Sequence, residues 1–168
     1  MKRTLLSFMV VATTVMLAAT AAIAATITCT GGLCSGTPQR DEITGSTSAD
    51  AIIAKARVDI VRARAGNDYV QLGGGGTPVD KEFVEGGRGD DELLGGRGGD
   101  QLNDFNPADI NDTDRLFGGP NDDFLYAVDG DGNDTLKGGP GADDCYGDAG
   151  DKIVACEGEN NPPTIAAP

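Results

Sequence analysis

The sequence predicts an all-β fold, a parallel solenoid of about twelve half-turns of nine residues each. Three observations predict it. An acidic and an aliphatic residue recur on a nine-residue beat, glycine crowds the first part of each unit, and the last three residues suit a very short strand. Self-similarity at a short fixed period is the mark of stacked repeats. A disordered Gly/Asp-rich segment would have no reason to keep an aliphatic residue on that beat.

Three copies show the unit best: Gly86-Gly87-Arg88-Gly89-Asp90-Asp91-Glu92-Leu93-Leu94, Gly95 to Asn103, and Gly138 to Tyr146. They read Gly-Gly-x-Gly-x-Asp-x-U-x, with U a large aliphatic residue. Carried outward, position six reads Asp41, Asp50, Asp59, Asp68, Glu82, Asp91, Asp100, Asp114, Asp123, Asp134, Asp143 and Lys152. Position eight reads Ile43, Ile52, Val61, Val70, Val84, Leu93, Leu102, Leu116, Leu125, Leu136, Cys145 and Val154. The register breaks at 72–76, 104–108 and 127–128, and the blocks 36–71, 77–103 and 129–155 run without a gap.

The elements follow in chain order. Lys2 and Arg3, the apolar stretch from Leu5 to Leu17 and the small residues Ala22-Ile23-Ala24 predict a secretory signal peptide over 1–24, cleaved after Ala24. Residues 25–35, with Cys29 and Cys34, are expected to cap the solenoid. The repeats fill 36–155, and 156–168 form a C-terminal cap and a frayed tail. Within a unit, glycine reaches positive φ at little cost, so the first six residues can turn sharply and aim several carbonyls one way. The last three alternate, which sends the eighth side chain inward. Two units then make one turn of a flattened coil, with a strand on each side and a loop at each edge.

The core of such a coil is thin. Ordering costs about 1–2 kcal/mol per residue, whereas one buried aliphatic per unit returns about 1.5–3 kcal/mol. A ligand of the folded form is therefore expected to stabilise it.

Composition narrows the function. The full chain carries a net charge of −14, and loss of the leader removes Lys2 and Arg3 but no acid, leaving −16. That excess repels phosphates and anionic surfaces, so neither nucleic acid nor membrane is an expected partner, and no span is expected after leader removal. There is no histidine, which removes a Ser-His-Asp triad and a His-Glu-x-x-His zinc site. Asp90/Asp91 and Asp122/Asp123 could pair for acid–base work, but their spacing fits repeat positions better. Four cysteines in an exported chain suggest disulfides. The coil places its two ends about 25–30 Å apart at roughly 4.8 Å per turn, so the pairing expected is local: Cys29–Cys34 and Cys145–Cys156.

The units resemble the repeats-in-toxin (RTX) nonapeptides of haemolysin-type calcium-binding proteins over about 36–155. The resemblance implies a parallel β-roll, a right-handed β-solenoid, with several Ca²⁺ ions held between successive loops on one edge. One edge would carry Asp41, Asp59, Glu82, Asp100, Asp123 and Asp143. The other would carry Asp50, Asp68, Asp91, Asp114, Asp134 and Lys152. The ligands it implies are Asp41, Asp50, Asp68, Asp91, Asp100, Asp114, Asp123, Asp134 and Asp143, with loop carbonyls, for roughly four to seven ions. The glycine-free loops 54–59 and 77–82 are weak candidates, and Lys152 would end its column. The expectation is a secreted, extracellular, monomeric, non-enzymatic calcium-binding protein whose folding is coupled to Ca²⁺. The alternative is an adhesion or interaction protein with structural calcium, binding an extracellular or cell-surface partner through the insertions at 72–76 and 104–108. A calcium-dependent polysaccharide-active enzyme is the more distant reading.

Overall fold

The computed structural model describes residues 25–74, 81–106 and 111–159; the expected leader and the tail beyond Glu159 lie outside them. Fifteen strands follow one another: β1 (Ala25–Thr28), β2 (Gly32–Ser35), β3 (Asp41–Thr44), β4 (Asp50–Ala56), β5 (Ile60–Ala65), β6 (Tyr69–Gly74), β7 (Phe83–Arg88), β8 (Glu92–Arg97), β9 (Gln101–Asn103), β10 (Arg115–Phe117), β11 (Phe124–Ala127), β12 (Thr135–Lys137), β13 (Asp144–Gly147), β14 (Lys152–Val154) and β15 (Gly158–Glu159). Odd strands form an eight-stranded sheet and even strands a seven-stranded one. Each strand pairs in parallel with the strand two places away, so the chain crosses between sheets at every loop. The fold is the expected parallel β-solenoid. Strands β3–β14 are the twelve expected half-turns, while β1, β2 and β15 prolong the coil.

Register makes the core. Ile27, Ile43, Val61, Val84, Leu102, Leu125 and Cys145 stack in one column. Cys34, Ile52, Val70, Leu93, Leu116, Leu136 and Ile153 stack in the other. The aliphatic members from Ile43 to Leu136 are wholly buried. Cys29 bonds Cys34 and Cys145 bonds Cys156, with Cα separations of 5.7 and 5.9 Å. Both bonds are the local ones, within bridging range at each end of the coil.

Two details of the register need correction. In the last unit, Ile153 and not Val154 joins the core column, and Val154 is exposed. The loop after β13 is one residue shorter than the beat requires, so the sixth position falls on Asp151 instead of Lys152. The register breaks also start too early. Leu72, Asp104 and Ala127 are buried two residues after an eighth position, as Gly86 and Gly95 are. They occupy position one, and Asp104 N donates to Tyr126 O in the inter-turn ladder just as Gly118 N donates to Lys137 O. Position one faces inward, so its occupant need not be glycine where the neighbouring side chains leave room.

Positive φ occurs where the turns need it. Gly73, Gly87 and Gly96 supply it in the later turns. Lys55 and Arg64 adopt it at the places paired with Gly73 and Gly87. The glycine-free loop 54–59 therefore turns like the others, at a cost of strain in non-glycine residues. Asn121 does the same at φ 88°, as its side chain allows.

Candidate metal centre

Each sixth-position carboxylate is the hinge between a loop and the strand that follows. One edge runs Asp41, Asp59, Glu82, Asp100, Asp123, Asp143; the other runs Asp50, Asp68, Asp91, Asp114, Asp134, and the nine predicted ligands divide between them. All of these acids are buried. Along the second edge the backbone N–H of each donates to Oδ1 of the next: Asp50 to Asp68 at 2.7 Å, Asp68 to Asp91 at 2.7 Å, Asp91 to Asp114 at 2.8 Å and Asp114 to Asp134 at 2.8 Å. The column continues from Asp134 to Asp151 at 3.0 Å, so Lys152 does not end it. The first edge repeats the arrangement from Asp41 to Asp59, Asp100 to Asp123 and Asp123 to Asp143, and finishes on Glu157 Oε2.

The second oxygen of each group is different. Oδ2 of Asp59, Asp68, Asp91, Asp100, Asp123, Asp134 and Asp143 is buried and has no hydrogen-bond partner. A buried carboxylate oxygen without a donor is costly unless a cation or a proton meets it. Several of these oxygens converge on the glycines at position one. A Cβ at Gly86 would stand 2.6 Å from Asp91 Oδ2, and one at Gly95 would stand 2.7 Å from Asp100 Oδ2. Gly118 and Gly138 meet Asp123 and Asp143 in the same way. Orphan oxygens and a space that a side chain would fill together fit a cation, and an all-oxygen, strongly anionic donor set fits a hard one such as Ca²⁺.

Electrostatics point the same way. Burial, reinforced by neighbouring carboxylates, pushes Asp91 up to about 8 and both Asp104 and Asp114 up to about 9. Burial raises Asp59, Asp123 and Asp134 to about 7 and Asp68 and Asp100 to about 6. Without a counter-ion this interior holds negative charge only with difficulty.

The two edges are not equal. Among the described residues, three groups of carboxylates converge closely enough to hold an ion: Asp91/Asp104/Asp114, Asp112/Asp114/Asp129 and Asp129/Asp131/Asp134. All three lie on the second edge. Asp104, Asp112, Asp129, Asp131, Asp151 and Glu157 were not among the expected ligands. Asp129 and Asp131 stand five and three residues before Asp134 in the same loop, where their density was a usable signal. Asp104 was hidden because it replaces the glycine that marks the start of a unit.

The consecutive acid pairs do not make an acid–base couple. Asp91 is buried, while Asp90 is exposed and accepts bonds from Thr113 N and Asn67 Nδ2 of neighbouring turns. Asp122 is exposed and accepts from Ala142 N. Two of the tyrosines belong to an aromatic group. Tyr126 and Tyr146 lie 6.2 Å apart beside Phe124, and Phe105 meets Tyr126 edge-on at 6.0 Å, all on the outer face of the odd-stranded sheet. Among the described residues no helix is long and apolar enough to cross a membrane.

The RTX calcium-binding nonapeptide repeat matches this chain in four copies, over residues 44–76, 81–103, 111–131 and 126–151, more than half of its length. The chain belongs to the RTX family. No curated protein and no solved structure matches it. The RTX repeats and the carboxylate columns occupy the same residues, so the family's calcium-binding unit is the element that carries the orphan oxygens.

Proposed function

We propose that this RTX protein is an exported, non-enzymatic calcium-binding roll whose folding is coupled to Ca²⁺. The observation that carries the reading is the row of buried Oδ2 atoms without a donor, repeated turn after turn from Asp59 to Asp143. Asp41, Asp50, Asp68, Asp91, Asp100, Asp114, Asp123, Asp134 and Asp143 are the proposed ligands, and Asp59 joins them because its Oδ2 is equally orphaned. Loop carbonyls complete the six to eight oxygens that Ca²⁺ takes. Two disulfides and a leader-like N-terminus support export to an oxidising, calcium-rich compartment. There the chain sets into its full coil, having stayed only partly ordered where calcium is scarce.

The test is far-UV circular dichroism of residues 25–168 titrated with Ca²⁺ from chelator, with Mg²⁺ as control. A cooperative gain of β signal with Ca²⁺ alone is expected. A chain fully folded in chelator would reduce calcium to an accessory.

One observation favours a second reading, an adhesive protein with structural calcium. Phe105, Phe124, Tyr126 and Tyr146 form a continuous aromatic patch on one outer face. In that case Tyr126→Ser with Tyr146→Ser abolishes attachment to a cell surface and leaves Ca²⁺ uptake unchanged.

A further inference from the structure

The interior of an RTX unit normally presents one carboxylate, at position six, opposite a glycine at position one. One turn here puts a carboxylate at position one. Asp104 stands at position one, directly after β9, and turns its side chain inward with 1 % of its surface exposed. Its Oδ1 accepts from Gly87 N at 3.0 Å, and its Oδ2 is buried without a partner. Asp91, 2 % exposed, likewise leaves Oδ2 unpartnered. Both orphan oxygens aim at one point: a Cβ built on Gly86 would lie 2.6 Å from each. Asp114, 1 % exposed, completes the group, with one oxygen of each residue within 4.8 Å of the other two.

We infer that Asp91, Asp104 and Asp114 form a three-carboxylate cation site, distinct from the repeat sites in its ligand set, that takes up the first and most tightly held Ca²⁺ of the roll. Two physical arguments rank it first. Affinity of Ca²⁺ sites rises with the number of anionic ligands and the rigidity of the cage. This site has three carboxylates where a repeat site draws on position six of two successive loops, and it is more deeply buried than the other two acidic groups, which include Asp129 at 7 % exposure and the half-buried Asp131. Three buried like charges also destabilise the metal-free coil more than the two of a repeat site do, so an ion here relieves more repulsion. The loop 104–114 joins β9 to β10, and Asp114 sits at its end. Filling the site therefore ties the residue that follows β9 to the residue that precedes β10 and seeds the turns on either side.

This inference rests on the calcium reading above, and the test separates the two. Asp104→Gly restores the glycine of the family pattern and removes only the third carboxylate; Asp104→Asn keeps the side-chain volume and removes the charge. Ca²⁺ binding to residues 25–168 is followed by calorimetry with chelator competition, and β structure by circular dichroism. In both variants the number of ions is expected to hold, because Asp91 and Asp114 remain as repeat ligands. The first binding step weakens at least ~10-fold, in line with the span of Ca²⁺ sites that differ in ligand charge, while the later steps and the final β signal are retained. An unchanged first step in Asp104→Gly would overturn the site and leave the calcium reading standing. A parent chain that takes up no Ca²⁺ would overturn both.

Discussion

The first turns of the roll and the stretch from Asp104 to Asp151 solve one problem in opposite ways. In the first turns the inward position one carries Ala54, Ala63 and Leu72, all wholly buried. There Asp41 is met by Thr37, whose backbone N–H lies 2.6 Å from Oδ2 and whose hydroxyl lies 3.0 Å from Oδ1. Asp50 accepts from Ser46 N at 2.7 Å. In the later stretch the second edge of the interior is lined by Asp104, Asp112, Asp114, Asp129, Asp131 and Asp134, and three groups of carboxylates converge there closely enough to hold a cation. The early turns lean more on apolar contact and internal donors, with orphan oxygens at Asp59 and Asp68, and the later ones more on clustered charge that needs a counter-ion. A single repeat pattern thus yields a coil whose dependence on metal rises along its length.

The largest expected effect is regional. In chelator, hydrogen exchange of residues 25–168 should show protection lost across β9–β14 while β3–β6 keep a residual core, and Ca²⁺ should restore both. Uniform loss along the chain would erase the distinction between the two regions.

The next effect is on pH. The ordinary carboxyl value is 3.8, and in the metal-free coil Asp68 is raised to about 6, Asp91 to about 8 and Asp104 to about 9. A raised carboxyl binds its proton more tightly folded than unfolded. Its stabilising contribution is thus present below about pH 4 and is lost as pH climbs through the folded values. Urea midpoints in chelator should therefore fall from pH 5 to pH 9. In saturating Ca²⁺ the order should invert, because a protonated carboxyl cannot coordinate the ion. Midpoints that move the same way in both conditions would contradict an ion in this interior.

The smallest effect sharpens the early turns. Thr37→Val removes the hydroxyl that meets Asp41, and a loss of about 0.5–1.5 kcal/mol is expected in chemical denaturation. The loss should be larger in chelator than in saturating Ca²⁺, where the ion also meets Asp41.

Much of this was legible in the sequence. The nine-residue beat fixes which residues face inward, so Ile43, Leu93 and Leu136 fall where they were expected, and the two disulfides follow from the length of the coil. What escaped was decided by loops. Position one announces itself only when it is glycine, so Leu72, Asp104 and Ala127 read as insertions although their backbone stays in the ladder. The final unit loses one residue between Gly147 and Asp151, and a fixed count cannot see a deletion that a shorter turn absorbs. The convergence of Asp104 with Asp91 depends on stacking across a turn, a relation between residues thirteen apart that no local pattern encodes.

The two disulfides sit at the extremities and each closes a short loop, spanning 5 and 11 residues. Between them no covalent tie joins one turn to the next, and the main contacts of each strand are with its immediate neighbours. Pulled from its ends, the coil is a spring with crimped tips. Its tips resist fraying, and it pays out from the middle. Each released turn, 18 residues at the simplest spacing, lengthens it by roughly 60 Å at full extension. Rewinding then depends on the supply of the ion that draws the loops together.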